Sequence, residues 1–280
     1  MRRRPTHFFL TFPPLPCSLQ PNMAIKKILL SVLGEKRYLS LLAGSFQRVY
    51  PTGWLGKEYQ DIYFLKKIIR EGDWCLDIGA HLGYFTLELS RLAGKSGKVF
   101  AVEPMSPFHN TLRTLLERKR AGNVTLYQVA LGGKGDYVEM GIPRLGATKR
   151  FACARIMESS VHLEYVETEK VKNETGDHLF RELSRLDYIK CDVEGLEYEV
   201  FLSLMKTLET HHPILLCELF ERGLRIRLFE LLRPLGYHAY ILDKGRLHRL
   251  DVYSEGPVAS HNIYFVPAER DDRIKPLLNG

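Results

Sequence analysis

The chain has 280 residues, enough for one large α/β domain or for one domain with a small N-terminal addition. Hydrophobic residues make up 45% and charged residues 26%, which is typical of a globular protein with a sizeable core. The formal net charge is +7, but Lys and Arg form only short, scattered runs, so the composition does not favour nucleic-acid recognition, and no apolar run reaches the length of a membrane span.

The spacing of the cysteines argues against a zinc centre. None of the five belongs to a C-x-x-C pair, so the sequence predicts no zinc site, and we assign no metal ligands. Cys75, Cys191 and Cys217 lie in apolar, strand-like runs. We therefore expect them to be small buried side chains in a protein of a reducing compartment.

The first 22 residues differ from the rest of the chain. Three arginines at positions 2–4 and the apolar residues 8–10 resemble the start of a signal peptide, but the apolar part is short and prolines interrupt it. Met23 opens a sequence more typical of a folded protein. We expect residues 1–22 to be a disordered leader or a translated upstream stretch, and the protein to be cytoplasmic.

Helices are expected first, and then an alternation of strands and helices. Residues 23–72 are an N-terminal helical region, because apolar residues recur there at helical spacing on both sides of a Pro51-Thr52-Gly53 turn. A second region runs from 73 to 270. We predict its strands at 74–80, 98–103, 124–131, 187–193, 213–220, 237–242 and 262–266, and its helices at 84–92, 108–120, 196–210 and 224–235. Ser106 is expected to cap the second of these helices.

This alternation predicts a mostly parallel, seven-stranded sheet with helices on both faces, in which the last two strands can also run antiparallel. Residues 132–186 interrupt the pattern, because glycines punctuate a stretch without strong periodicity. We interpret this stretch as an insertion over the sheet edge, with short strands at 137–140 and 165–171. Such insertions often carry function, so it is also a candidate substrate-side region.

Polar residues follow the predicted strands at the edge where α/β sheets bind ligands. After the first strand comes Asp77-Ile78-Gly79-Ala80-His81-Leu82-Gly83. Its glycines allow a tight turn and a close backbone approach, but their G-x-x-x-G spacing differs from the G-x-G-x-x-G of dinucleotide sites. A cofactor with a methionine tail suits this loop, since Asp77 repels a phosphate and can bind an amino group. The alternative is an ordinary strand–turn–helix connection.

The second and third strands end in weaker signals. Glu103, followed by Pro104, is placed to accept hydrogen bonds from both ribose hydroxyls of a nucleotide cofactor. The alternative is a solvated glutamate at a strand end. Ala130, near the end of the third strand, occupies a position that commonly flanks an adenine ring, although almost any apolar strand end would look alike.

The fourth strand ends in Lys190-Cys191-Asp192-Val193-Glu194-Gly195. Strand alternation places Lys190, Asp192 and Glu194 on one face, where charges are costly unless they are paired or used. We interpret this segment as a pocket floor with a candidate general base. The alternative is an internal ion pair between the lysine and a carboxylate. Glu218, after the fifth strand, can line the same cleft or be solvated.

Together, several segments of the chain resemble the FkbM family of class I S-adenosylmethionine-dependent methyltransferases, which usually act on oxygen. The resemblance spans residues 53–267 and rests on LDIGAHLGYFT (76–86), GKVFAVEP (97–104), NVTLYQVAL (123–131), IKCDVEGLEYEVF (189–201), PILLCEL (213–219) and LGYHAY (235–240). It implies a Rossmann-like class I methyltransferase domain over residues 73–270, with S-adenosylmethionine as cofactor. Two positions differ from the family pattern: His81 stands where Asn is common, and Thr175-Gly176-Asp177 replaces a T-L-D-like element.

The resemblance assigns roles to particular residues. It implies cofactor binding by the first loop and by the acidic residue after the second strand, and we extend this set to the neighbouring positions. The candidate cofactor-binding residues are Asp77, Gly79, Ala80, His81, Gly83, Tyr84, Glu103, Pro104 and Ala130. For catalysis, we expect Asp192, with Glu194 nearby, to take the acceptor's proton or orient the acceptor, while Lys190 stabilises these carboxylates.

The expected activity is O-methylation of a hydroxyl on a sugar, glycolipid or natural product, with a small-molecule or saccharide acceptor. A nucleotide-dependent oxidoreductase is the main alternative, and the missing G-x-G-x-x-G argues against it. A non-catalytic module that binds the cofactor on the same fold is another. The sequence indicates neither the oligomeric state nor the position that is methylated.

Overall fold

The computed structural model describes residues 23–145, 148–149, 155–156 and 164–278. The predicted leader lies outside these residues, as do Cys153 and part of the predicted insertion. Within the described chain, no helix combines the length and apolar character needed to cross a bilayer.

The N-terminal region is helical, as the apolar spacing predicts, and further helices alternate with strands from residue 74 onward. The helices of the described chain are α1 (Met23–Leu33), α2 (Glu35–Val49), α3 (Gln60–Ile68), α4 (Tyr84–Ala93), α5 (Ser106–Lys119), α6 (Gly176–Leu179), α7 (Glu197–Leu202), α8 (Met205–His211), α9 (Arg222–Leu232) and α10 (Asp271–Ile274). The strands are β1 (Trp74–Ile78), β2 (Lys98–Val102), β3 (Val124–Tyr127), β4 (Ala130–Leu131), β5 (Tyr137–Leu145), β6 (Thr148–Lys149), β7 (Arg155–Ile156), β8 (Tyr165–Glu174), β9 (Tyr188–Cys191), β10 (Ile214–Glu218), β11 (Tyr237–Asp243), β12 (Arg246–Arg249) and β13 (Asn262–Pro267).

The main sheet confirms the predicted α/β class. Its strand order is β12-β11-β13-β10-β9-β1-β2-β3. The five strands from β10 to β3 are parallel, and β13 runs antiparallel to both β10 and β11. The order reverses between β1 and β9, so the carboxyl ends of these two strands form the crevice where such sheets bind ligands.

The sheet has eight strands rather than the predicted seven, because a hairpin adds β12 at one edge. Asp243 and Arg246 pair across the turn, and the two residues between them, Lys244 and Gly245, both have positive φ (48° and 76°). Two consecutive residues in this conformation match the right-handed twist of a β-hairpin. The strand predicted at 237–242 was not expected to continue through this turn into a further strand.

Apolar side chains alternate along the strands and cover both faces of the main sheet. On one face, Leu76 and Ile78 pack in a cluster with Phe201 of α7. On the other face, Cys75 packs with Leu65 of α3. The three strand cysteines, Cys75, Cys191 and Cys217, are fully buried as predicted. A sheet buried on both faces explains why its strands read as continuous apolar runs.

Two predicted elements are each divided in the structure. The strand predicted at 124–131 ends at Tyr127, and Ala130 instead pairs with Asn173 of β8 in a second sheet. The helix predicted at 196–210 is interrupted at Ser203, whose Oγ accepts a hydrogen bond from the backbone N–H of Gly176. Both breaks are caused by contacts with chain segments distant in sequence.

The second sheet occupies the region predicted as an insertion. Its strands β5 and β8 form a long antiparallel pair with a register shift between Ile142 and Pro143. Glu169 of β8 accepts hydrogen bonds from the backbone N–H and the hydroxyl of Ser106 at 2.9 and 2.5 Å. The prediction that Ser106 caps α5 is therefore wrong: Ser106 is the first residue of the helix, Met105 occupies the cap position, and the carboxylate comes from another strand.

A network of buried charges closes the amino-terminal end of the main sheet. Asp73, before β1, binds Arg273 of α10 through two contacts of 2.5 and 3.0 Å. Asp187, before β9, binds Arg185 at 2.6 Å and Arg270 at 2.8 Å. Because both aspartates are buried, these pairs hold the C-terminal segment against the strands, away from the crevice at the carboxyl ends.

Candidate active site

The loop between β1 and α4 is held by two glycines that no other residue could replace without a collision. Gly79 has φ 76°, and a Cβ there would lie 1.9 Å from the carbonyl oxygen of Asp192. Gly83 has φ 81°, and a Cβ there would lie 2.3 Å from Cδ1 of Leu112. The sequence predicted that these glycines permit a close approach. In the structure, the approaching groups are the loop after β9 and a side chain of α5.

Glu103, directly after β2, is buried, which excludes the alternative of a solvated strand-end glutamate. Only 4% of the residue is exposed. One carboxylate oxygen accepts the backbone N–H of His81 at 2.8 Å, and the other accepts that of Met105 at 2.9 Å. Burial raises the pKa of Glu103 to about 7, although the two N–H donors act in the opposite direction. This side chain therefore connects the loop after β1 to the loop after β2.

Lys190 is the charged centre beneath the first loop. Its Nζ donates to the carbonyl oxygen of Gly79 at 2.8 Å and lies 3.5 Å from Oδ1 of Asp77 and 3.6 Å from Oδ2 of Asp192. Burial alone would lower the pKa of Lys190, but the charges of Asp192 and Asp77 outweigh it and raise the pKa above its ordinary value. The interpretation of an internal ion pair is thus correct for this lysine.

Asp77 is also enclosed by protein. The residue is fully buried, and its Oδ2 accepts a hydrogen bond of 2.6 Å from the hydroxyl of Thr86 on α4. With Lys190 on its other side, this carboxylate connects β1, α4 and β9. In this conformation Asp77 supports the loop from below, and its predicted contact with a cofactor amino group stays a prediction.

Asp192 and Glu194 follow the end of β9, and Glu194 does not continue the alternation of the strand. The strand ends at Cys191, and Glu194 adopts a left-handed backbone conformation with φ 59°. The turn is fixed by Glu197, whose Oε1 accepts the backbone N–H groups of Val193 and Gly195 at 3.1 and 3.2 Å. The prediction that Lys190, Asp192 and Glu194 lie on one strand face is therefore wrong for Glu194, because the strand stops before it.

A pH-dependent stability is expected from Glu197. The residue is 1% exposed, and burial raises its pKa to about 7 despite the opposing backbone N–H donors. A raised pKa in the folded state means that the stabilisation is present at low pH and is lost as the pH rises through 7. In Glu197→Gln, the free energy of unfolding should fall by about 1 kcal/mol less than in the wild type between pH 6 and 8.5.

Urea titrations at a series of pH values measure this difference. Glu209→Gln, at an exposed position of α8, is the matched control and should follow the wild-type curve. Parallel curves for Glu197→Gln and the wild type would show that Glu197 stays ionised in the folded protein.

A cavity of about 140 Å³ opens beside the carboxyl ends of β9 and β10. We call it the acceptor cavity. Its walls come from the segment entering α3, from the start of α4, and from the ends of β9, β10 and β13. The lining residues are Glu58, Tyr59, Asp61, Ile62, Tyr84, Phe85, Lys190, Cys191, Asp192, Leu216, Glu218 and Asn262. None of the described residues between 132 and 186 is among them.

The remaining predicted cofactor residues lie around the first loop. His81 has φ 48°, and its ring centroid is 4.3 Å from that of Phe108. Tyr84, the first residue of α4, lines the acceptor cavity and stacks on Phe46 of α2. Ala80 and Ala130 are buried in one apolar cluster, and Pro104 is half-buried after Glu103. Within the described residues, no cluster of three or more His, Cys, Asp or Glu is arranged to hold a metal ion.

Comparison with known proteins identifies the family. The sequence profile of the methyltransferase FkbM domain matches residues 77–239, which is more than half of the chain. The chain belongs to the FkbM methyltransferase family. This confirms the resemblance stated from the sequence, and with it a Rossmann-like methyltransferase fold whose cofactor is S-adenosylmethionine. No curated protein sequence matches the chain.

Solved structures also resemble this FkbM methyltransferase. Methyltransferase FkbM from Methylobacillus flagellatus KT matches with 15% identity and a TM-score of 0.44, covering 86% of this chain and 60% of that one. A SAM-dependent O-methyltransferase from Thermotoga maritima matches with 15% identity and a TM-score of 0.42, covering 74% of this chain and 64% of that one. Fibrillarin from Aeropyrum pernix, with natively bound S-adenosyl-L-methionine, matches with 15% identity and a TM-score of 0.42, covering 74% of this chain and 73% of that one.

The departure of this FkbM protein at Thr175-Gly176-Asp177 has a packing reason. A Cβ at Gly176 would lie 2.3 Å from Cγ of Leu204, so an apolar side chain does not fit there. Asp177 keeps a structural role, because its Oδ1 accepts the backbone N–H and the hydroxyl of Thr207 on α8. The element therefore connects α6 to α8.

Several residues at the site were not among those chosen from the sequence. Glu58 and Tyr59 precede α3 and reach the acceptor cavity, although they lie in the N-terminal region of the chain. Asp61 accepts hydrogen bonds of 2.7 Å from Asn262 and from the hydroxyl of Tyr264, and thereby fixes α3 to β13. The only sequence signal for them was that polar residues begin an apolar helix, which is too common to indicate a site.

Proposed function

We propose that the chain is an O-methyltransferase that holds a hydroxylated acceptor in the acceptor cavity and uses Asp192 as the general base. One observation carries this proposal. Asp192 lines the cavity beside the charged Lys190, with 35% of its side chain exposed. A carboxylate that a lysine holds on one side and that is open to a cavity on the other is suited to accept a hydroxyl proton.

The residues around the first loop fit S-adenosylmethionine. Each oxygen of Glu103 accepts one backbone N–H and has capacity for a second donor, so the two ribose hydroxyls can bind there. Lys190 holds the carbonyl group of Gly79 from below. The loop is therefore fixed before the cofactor arrives, which lowers the cost of ordering it on binding.

The reaction then needs little from the protein beyond placement and a base. When bound, the cofactor supplies a methyl group that is attached to a positively charged sulfur. After the transfer, the remainder of the cofactor is a neutral thioether, which is the leaving group. The acceptor oxygen must lie in line with this methyl group, and the cavity walls from α3 and α4 provide that orientation. Asp192 takes the proton that the hydroxyl loses, and Lys190, whose Nζ lies 3.6 Å from Oδ2 of Asp192, holds the carboxylate in place.

The lining of the cavity favours a hydroxylated acceptor without negative charge. Carboxyl groups of Glu58, Asp61, Asp192 and Glu218 surround the space, whereas its lysine is already paired with two aspartates. Aromatic rings of Tyr59 and Phe85 offer apolar faces for the acceptor's carbon skeleton. Sugars, glycolipids and neutral natural products all have this chemistry.

Calorimetric titration separates the proposal from its main alternative. Micromolar binding of S-adenosylhomocysteine without binding of NAD is expected, and the reverse result would favour an oxidoreductase. Methyl transfer from labelled S-adenosylmethionine to a panel of neutral and anionic polyols then tests the acceptor class. Cofactor binding without turnover on any acceptor of the panel would favour a non-catalytic module.

The cytoplasmic location is tested by N-terminal mass spectrometry of the natively expressed protein, where an export-processed terminus would contradict it.

A further inference from the structure

Glu218 lies next to the proposed base. Cys217 and Cys191 pair in the register of β10 and β9, so the residues that follow them, Glu218 and Asp192, are neighbours across the end of the sheet. Both line the acceptor cavity, and the charge of Asp192 contributes to raising the pKa of Glu218. Two neighbouring carboxyl groups cannot both be ionised at low cost, so this arrangement favours one proton between them.

We propose that Glu218 is a positioning residue that shares a proton with Asp192 and so fixes the charge and direction of the base. This inference rests on the proposed function, in which Asp192 accepts the acceptor's proton. Glu218 touches the reaction only through Asp192. By occupying one oxygen of Asp192 with its O–H group, it leaves the other oxygen for the acceptor hydroxyl.

The surroundings of Glu218 decide which carboxyl group keeps the proton. Burial raises the pKa of Glu218 well above its usual range, and the nearby charges of Asp192 and Glu194 act in the same direction, while Lys190 opposes them. Glu58 and Asp61 line the same cavity and add no positive charge. Asp192 is the closer of the two to Lys190, at 3.6 Å, so the proposal places the shared proton on Glu218.

The proton balance of the reaction follows from this pair. The acceptor oxygen forms a bond to the methyl carbon as the carbon–sulfur bond breaks, and the hydroxyl proton moves to the ionised oxygen of Asp192. Before the reaction, the pair carries one negative charge, and after it the pair is neutral. The proton returns to water once the methylated product has left, so each turnover begins with one shared proton.

Carbon-13 NMR of the ligand-free protein, labelled at the glutamate carboxyl carbons, tests proton sharing without any need for activity. Glu218→Gln identifies the signal. We expect Glu218 to be protonated at pH 7.5 in the wild type and to lose its proton at lower pH in Asp192→Asn, because a neighbouring negative charge has been removed. A signal that titrates in the usual carboxyl range, or that is unchanged in Asp192→Asn, would overturn the proposal.

Steady-state kinetics test the link to catalysis. In Glu218→Gln we expect kcat to fall on the order of tenfold, with the KM for S-adenosylmethionine unchanged. In the wild type, kcat should decline at alkaline pH as Glu218 loses its proton, and this decline should be absent in the variant. Glu209→Gln is again the control. A kcat–pH profile that superimposes on the wild type would overturn the positioning role. Inactivity of every variant and of the wild type, combined with the expected NMR titration, would contradict the proposed function and leave proton sharing standing.

Discussion

Replacing Asp192 with Asn should lower the single-turnover rate of methyl transfer by about 10²- to 10⁴-fold at saturating cofactor, the usual contribution of a positioned base. The amide has nearly the same shape but cannot take up the hydroxyl proton. Folding should persist, because Lys190 keeps its hydrogen bond to the carbonyl group of Gly79 and its contact with Asp77. Rapid-quench measurement with labelled S-adenosylmethionine gives the rate, and calorimetry with S-adenosylhomocysteine gives the cofactor affinity.

Asp272→Asn is the matched control for this substitution. Asp272 lies on α10 with 70% of its side chain exposed, and its 3.8 Å pair with Arg70 is a surface contact worth little. The control should keep the wild-type rate. An unchanged rate in Asp192→Asn would remove this residue from the mechanism, whereas a loss of cofactor affinity with an unchanged rate constant would assign it to binding.

Replacing Gly79 with Ala should weaken binding of S-adenosylhomocysteine on the order of 100-fold and also reduce stability. The added Cβ would lie 1.9 Å from the carbonyl oxygen of Asp192, so the loop or the end of β9 must move. Overpacking of this kind costs about 1–3 kcal/mol, and a left-handed backbone adds about 1–2 kcal/mol for a residue with a Cβ. A tenfold loss of affinity corresponds to about 1.4 kcal/mol, so displacement of the loop is sufficient to produce the expected effect.

Gly135→Ala separates the collision from the backbone strain. Gly135 has the same φ of 76°, but no heavy atom lies within 4 Å of a Cβ built there. This control should lose a small part of the stability and none of the cofactor affinity, as measured by thermal unfolding and calorimetry. Equal losses of affinity in the two variants would mean that the close contact at Gly79 does not shape the cofactor loop.

Local patterns in the sequence were sufficient for most of the secondary structure. The apolar runs that became β1, β2, β9 and β10 are recognisable because each is buried on both faces. Where these patterns failed, either a distant segment had changed the outcome or the local signal was weak. Ala130 left the main sheet because β8 offered it a partner, and the hairpin of β11 and β12 rests on a turn whose first residue, Lys244, has little turn preference.

The candidate site was predictable in its components but not in their arrangement. Asp192 and Lys190 were recognised because charged residues at the end of a buried strand are costly unless they are paired or take part in the function. Their pairing depends on side chains from β1, from β9 and from the loop after β9. The proximity of Glu218 to Asp192 depends on the register of β10 and β9. Spacing along a chain carries no information about which of several acidic residues meet at one edge of a sheet.

The sequence by itself determined the family, the α/β class and the loop that begins at Gly79, because each of these depends on short segments with strong local preferences. Only the tertiary structure decided that Lys190 supports that loop, that Glu218 lies beside Asp192, and that α3 and the segment before it line the same cavity. These features depend on burial and on charges brought together from distant parts of the chain. Their energies are set by the folded environment and are absent from any local stretch of sequence.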